Sequence, residues 1–246
     1  MKIPPADLAY VEEKFAELAP DVVDAWEDGA GSSADAMDPD SLQQAMLQLL
    51  GVLRSCTDAT GDPSDPDAPR ELKILGEHGL QLLTEMATRA DEAGLGRQAR
   101  ALRDLCLPFA LWIVRCDGGF ASWEPVVEAV AELANRLNSP EDLAELYSQL
   151  EVLVEAGNPA VAQVSVRPGR RPWRILVLNR AIVATRSLKP ALMERAFNSV
   201  VELLPGDAPG FFEEAMEQMD IVGYPDHVRV VVEDYYSRVC GQRTLH

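Results

Sequence analysis

The fold class is decided by residues 102–116, which read LRDLCLPFALWIVRC. Their apolar side chains recur after alternating steps of three and four residues, at Leu102, Leu105, Phe109, Trp112 and Cys116. Such steps place side chains on one face of an α-helix, whereas a strand alternates at every second residue. The stretch therefore predicts a helix with a buried face.

The same spacing recurs along the chain, and its boundaries carry helix-capping chemistry. In Ser139-Pro140-Glu141-Asp142 a hydroxyl, a first-turn proline and an acid precede an apolar run. Asp207 before Ala208-Pro209 predicts a second cap of this kind. We therefore predict an all-α protein of about ten helices. They lie near residues 5–19, 39–54, 70–93, 95–116, 122–137, 140–156, 172–187, 189–204, 208–219 and 225–240.

The connections between most of these helices are short, which favours antiparallel helix pairs. We expect one all-α domain over residues 1–246, built as helical hairpins in an α-solenoid or a compact stack. Leu192, Ala196, Phe197 and the helix-ending Leu204-Pro205 resemble the second helix of a tetratricopeptide repeat. The arrangement as a whole resembles the tetratricopeptide and HEAT-type helical repeat families. This resemblance implies an architecture and carries over no functional residue.

Pro108 lies inside the most apolar predicted helix, 95–116. A proline there deletes a backbone donor and crowds the carbonyl of Asp104, which predicts a kink or a break between Leu105 and Pro108. Two interpretations remain open. The helix bends around the core, or the kink opens a pocket for a substrate or small ligand.

Composition and charge exclude several classes of function. Lysine and arginine number 22 against 40 acids, a net charge of −18 that disfavours nucleic acid and anionic membranes as partners. We find neither a signal peptide nor a membrane-spanning run, and the four cysteines form no CxxC pair, so we expect a cytoplasmic protein with reduced thiols. Acidic, proline-bearing segments at 28–41 and 55–69 are predicted to be flexible loops. The aspartates of the second lack the spacing of a calcium loop.

Positive charge is concentrated after the predicted helix 140–156. Residues 156–193 contain no Asp or Glu, but they contain seven basic residues. We predict a docking patch for an acidic protein partner here, because arginine binds carboxylates in bidentate fashion and stacks on aromatic rings. Its residues would be Arg167, Arg170, Arg171, Trp173, Arg174 and Arg180. The alternative is that these arginines pair with the protein's own acidic N-terminal helices.

The segment 160–178 allows two structures. The β-branched residues before Pro168-Gly169 and those at Ile175 to Leu178 would pair as a β-hairpin, which competes with the helix predicted to start at residue 172.

A second, apolar surface is predicted on the helix near 208–219. It consists of Phe211, Phe212, Met216 and Met219. Stripes of this kind belong either to the core or to a face that docks a partner or a second copy of the chain.

Catalytic signatures are missing from the sequence. There is no paired-histidine metal motif, nucleophile elbow or glycine-rich phosphate loop, and Cys106 and Cys116 lie in the apolar stretch, where burial makes thiols inert. We predict no catalytic residue, no metal site and no cofactor. The sequence favours a non-catalytic scaffold or adaptor, with an enzyme or small-ligand protein using a pocket near Pro108 as the alternative.

Overall fold

The computed structural model describes residues 3–30, 37–58, 68–157 and 172–241. All regular elements in these ranges are helical, which confirms the all-α prediction. Helix α1 is followed by a π-helical turn over Trp26–Ala30. The helices are α1 Leu8–Ala25, α2 Pro39–Asp58, α3 Ala68–Glu92, α4 Gly96–Asp104, α5 Cys106–Arg115, α6 Glu124–Arg136, α7 Pro140–Ala156, α8 Pro172–Arg186, α9 Pro190–Leu203, α10 Ala208–Val222 and α11 Asp226–Cys240.

The chain forms two compact units. The N-terminal unit comprises Pro4–Leu133, and the C-terminal unit comprises Ala134–His246 together with Met1–Ile3. Within the first, α2 packs against α1 and α3, and α3 packs against α4 and α5. Within the second, α8 packs against α7 and α9, while α11 packs against α9 and α10. Each unit is thus a stack of packed helix pairs.

Local capping chemistry starts α7 as predicted. The Ser139 side chain accepts a hydrogen bond from the backbone N–H of Asp142 at 3.3 Å, and Pro140 occupies the first helical position. Because Ser139 satisfies one of the free donors at the helix start, the helix begins where the sequence predicts.

The predicted end of the first helix at residue 19 was wrong, because α1 continues through Pro20 to Ala25. Proline cannot donate to the carbonyl of Ala16, but both Ala16 and Pro20 are exposed. Water can therefore hydrogen-bond the carbonyl that Pro20 leaves without a helical donor, and the helix persists.

The break predicted near Pro108 is confirmed. Helix α4 ends at Asp104 and α5 begins at Cys106, so two helices occupy the span predicted as one. The Phe109 ring packs directly on Gly79 of α3, where a Cβ would lie only 2.3 Å from the ring. Pro108 does not line either of two cavities formed by residues 135–224.

An aromatic cluster joins α9, α10 and α11 in the C-terminal unit. The Phe197 ring meets Phe212 and Tyr235 edge-on, each with 5.2 Å between ring centroids. The Tyr235 hydroxyl donates to the Asn198 side-chain oxygen at 2.7 Å. The cluster therefore packs α10 against α9 and α11.

The predicted loops 28–41 and 55–69 lie partly outside the described residues, since 31–36 and 59–67 are not among them. Where these segments are described, α2 reaches Asp58 and α3 starts at Ala68, so the helices extend further than predicted. No described helix combines the length and the apolar character needed to cross a membrane.

Candidate functional site

Half of the predicted arginine and tryptophan patch lies in α8. Arg167, Arg170 and Arg171 fall outside the described residues, as does most of the segment 160–178. The residues Ile175 to Leu178 belong to α8, so they do not form the second strand of a hairpin. Docking of an acidic partner through the three preceding arginines stays a prediction.

Trp173, in the first turn of α8, is buried against the C-terminal end of α7. Its indole N–H donates to the backbone oxygen of Val154 at 3.4 Å. A Cβ added at Gly157 would lie 2.4 Å from the ring, so this glycine is what lets the indole come so close. Trp173 therefore joins α8 to α7 and leaves little of its ring exposed to an outside partner.

Arg174 has an internal partner in Asp207. The Arg174 Nε atom donates to the Asp207 carboxylate at 2.6 Å, and this hydrogen bond raises the pKa of Arg174 above its ordinary value. Asp207 was predicted to cap α10, but its side chain makes no capping hydrogen bond. The prediction of the cap was wrong because the carboxylate binds a guanidinium on another helix instead.

Arg180 is buried in α8, with 4% of its surface exposed. Its guanidinium lies 5.8 Å from the centroid of the Tyr147 ring, and the guanidinium of Arg195 lies 5.6 Å from the same ring. Two of its nitrogens, Nε and Nη2, are buried without a hydrogen-bond partner among the described residues. A buried charge without a counter-ion costs free energy, so this arrangement requires an explanation.

A cavity of about 490 Å³ lies against Arg180. We call it the Arg180 cavity; besides Arg180, its lining includes Glu151, Val154, Glu155, Trp173, Arg195, Asn198, Ser199, Glu202 and Leu203. Arg195 is 3.6 Å from the Glu151 carboxylate, so its charge is already partly neutralised. The cavity thus combines a buried cation that has no ion pair among the described residues with carboxylates, hydroxyl and amide groups, and an apolar wall.

A second cavity, of about 560 Å³, lies between α8 and α10, and we call it the α8–α10 groove. Its apolar lining comprises Ile182, Phe211, Ala215, Met219 and Val222, and its polar lining includes Glu214 and Gln218. At one side, Arg186 donates to the backbone oxygens of Ala134 and Leu137, both at 2.7 Å. Arg186 is therefore engaged in closing the end of α6, and the free surface of the groove is mainly apolar.

The structure divides the predicted apolar face of α10. Phe211 and Met219 line the groove, although Met219 is itself almost fully buried. Phe212 is buried in the aromatic cluster, and Met216 is half-buried outside the groove lining. The stripe predicted from the sequence thus belongs partly to the core and partly to the wall of the groove.

Cys106, Cys116 and His227 differ in their surroundings. Burial raises the pKa of the Cys106 thiol to about 12, as expected for an inert thiol, while Cys116 is only half-buried and its pKa is also raised. His227 contacts the backbone oxygen of Leu188 at 3.1 Å. The described residues contain no group of three or more His, Cys, Asp or Glu suited to a metal ion.

Sequence reasoning missed the burial of Arg180 and the exposure of Ile182 and Val222. The signal for Arg180 is its apolar surroundings within the helix, since Leu176, Val177, Ala181 and Ala184 all stand within one turn of it. The exposed apolar residues have no local signal, because single apolar residues on a surface are common.

The chain matches no protein-family model, no curated protein and no solved structure.

Proposed function

We propose that the chain is a non-catalytic interaction protein that binds an apolar segment of a protein partner in the α8–α10 groove. The observation that carries this proposal is the exposure of Ile182 (46%) and Val222 (57%), two large apolar side chains that line the same cavity. When a partner removes the apolar surface beside a groove from water, the free energy falls and binding is favoured.

The charge around the groove favours a partner with basic residues. Glu213, Glu214 and Glu217 are exposed on α10, and none has an ion pair or hydrogen bond in the described part of the chain. An amphipathic helix with apolar residues at steps of three and four, flanked by Lys or Arg, complements both features. This partner is opposite in charge to the acidic partner that the arginine patch predicts from sequence.

Selection from a displayed library of 16-residue helical peptides against the full-length chain tests the proposal. We expect enriched peptides to carry apolar residues at helical spacing together with Lys or Arg, and their binding to weaken as salt is raised. Ile182→Asp and Val222→Asp should abolish this binding. Val230→Asp is the matched control, because Val230 is 62% exposed on α11 and does not line the groove.

Three outcomes would decide against the proposal in this form. Enriched peptides that bind Ile182→Asp as well as the unchanged protein would place the binding surface elsewhere. Loss of binding in Arg167/Arg170/Arg171→Glu, with acidic peptides enriched, would support the arginine patch instead. A molar mass of twice the monomer value in sedimentation equilibrium, together with the monomer value for Val222→Asp, would make a second copy of the chain the occupant.

A further inference from the structure

The unpaired charge of Arg180 points to a second binding function, independent of the groove. We infer that the Arg180 cavity binds a small zwitterion of the amino-acid class, with its carboxylate on Arg180 and its ammonium group near Glu155 and Glu202. Each charged group of this ligand would have a side chain of opposite charge in the lining of the cavity.

The carboxylate of the proposed ligand follows from the charge and the unsatisfied hydrogen-bond donors of Arg180. A guanidinium stays protonated at all physiological pH values, so burial cannot remove its charge as it can for a lysine or histidine. The ring of Tyr147 offers a favourable contact, but Nε and Nη2 have no hydrogen-bond acceptor among the described residues. A ligand carboxylate accepts two such bonds side by side, which is the geometry that an arginine fork presents.

None of the carboxylates that line the cavity forms an ion pair with Arg180 in the described part of the chain. Glu151 is engaged by Arg195 and by the Tyr147 hydroxyl, which donates to it at 3.3 Å. Residues 158–171, which connect α7 to α8 in sequence, contain no Asp or Glu. A ligand carboxylate would supply the hydrogen-bond acceptors that Arg180 lacks among the described residues.

The ammonium group is favoured by the carboxylates of the same cavity. Glu155 and Glu202 line it and are exposed, and neither has an ion pair in the described part of the chain. They repel a dianion such as phosphate, whereas a zwitterion places opposite charges against both signs. Trp173, Val154 and Leu203 supply apolar surface for a side chain, and about 490 Å³ is a typical volume for a small-ligand site.

The experiment is isothermal titration calorimetry of the full-length chain with each of the common L-amino acids, followed by chemical variants of the best binder. We expect at least one amino acid to bind with a Kd on the order of 1 mM or tighter. Its carboxamide, which lacks the carboxylate charge, and its N-acetyl form, which lacks the ammonium charge, should each bind at least about tenfold more weakly.

Protein variants connect the binding to Arg180. Arg180→Met should remove binding, and Arg180→Lys, which keeps the charge but loses the planar fork, should weaken it by at least about tenfold. Arg238→Met is the matched control, since Arg238 is on the surface of α11 and does not line the cavity. Circular dichroism shows whether each variant keeps its helices.

Several results would overturn the inference. One is that no amino acid binds at a concentration on the order of 10 mM, which corresponds to very weak affinity. Another is that the best binder binds Arg180→Met as tightly as the unchanged protein. Tighter binding of inorganic phosphate would also contradict a zwitterion. Because Ile182→Asp alters only the groove, it should bind the amino acid normally, so failure of the groove proposal and failure of this one are distinguishable.

Discussion

Cys106 in the N-terminal unit and Arg180 in the C-terminal unit are both polar side chains buried inside packed helices, with 1% and 4% of their surface exposed. The thiol stays neutral because burial raises its pKa to about 12. The guanidinium has no neutral form available and keeps its charge. Burial therefore leaves the first group chemically silent, while it leaves the second with an unmet requirement for an anion. A buried polar group is informative about function when it cannot lose its charge.

Replacing the charge of Arg180 should produce the largest change in stability. Arg180→Met removes an unpaired buried charge and keeps a long apolar side chain, so we expect the free energy of unfolding to rise by about 1–4 kcal/mol. Urea denaturation without ligand measures it. Arg195→Met is the control, because Arg195 lies over the same ring but is 58% exposed, and its replacement should change stability by less than about 0.5 kcal/mol. A loss of stability in Arg180→Met would show that the guanidinium is satisfied in the free protein.

A matched pair of glycine substitutions tests how tightly the N-terminal unit is packed. Gly79→Ala should lower the free energy of unfolding by about 1–2 kcal/mol, since the new methyl would overlap the Phe109 ring and outweigh the gain in helix propensity. Gly51→Ala places the same methyl in a helix with no neighbour within 4 Å and should raise stability by about 0.5–1 kcal/mol. Thermal and urea unfolding measure both. Equal effects at the two positions would contradict a close contact between α3 and α5.

Titration of Cys106 should weaken the fold at alkaline pH. Its pKa is about 12 in the folded protein, against an ordinary value of 9.0 for a thiol exposed to water, as in the unfolded chain. The stability that burial of the neutral thiol contributes is therefore complete below pH 9 and is lost as pH rises toward 12. From pH 8 to pH 10, the free energy of unfolding should fall by about 1.4 kcal/mol more in the unchanged protein than in Cys106→Ala. Identical slopes in the two proteins would mean that the thiol titrates normally and is not sealed from water.

The ion pair between Arg174 and Asp207 should have the smallest effect. The two side chains are about one-third exposed, so water screens their attraction. A double-mutant cycle of Arg174→Met and Asp207→Asn should give a coupling free energy of about 0.5–1 kcal/mol that falls with added salt. No coupling would leave both residues available to an outside partner, as the arginine-patch prediction requires.

Local chemistry could be predicted from the sequence, and long-range pairing could not. Ser139 caps α7, and Pro108 follows a helix break, because each acts on backbone groups within one turn of itself. The roles of Asp207 and Arg180 are decided by Arg174, which stands 33 residues from Asp207, and by the packing of α8 between α7 and α9. The local sequence around an acid before Ala-Pro does not distinguish an acid that caps the helix from one that binds a distant guanidinium.

The position of Trp173 gives the C-terminal unit an optical signal of its own. The chain has four tryptophans, and Trp26, Trp112 and Trp123 belong to the N-terminal unit. Trp173 is held against Gly157 beside the Arg180 cavity. Its fluorescence, taken as the difference between the unchanged protein and Trp173→Phe, follows the unfolding of residues 134–246 separately from that of residues 4–133. Comparison of this signal with that of the other three tryptophans shows whether the two helical units unfold in a single cooperative step or in two.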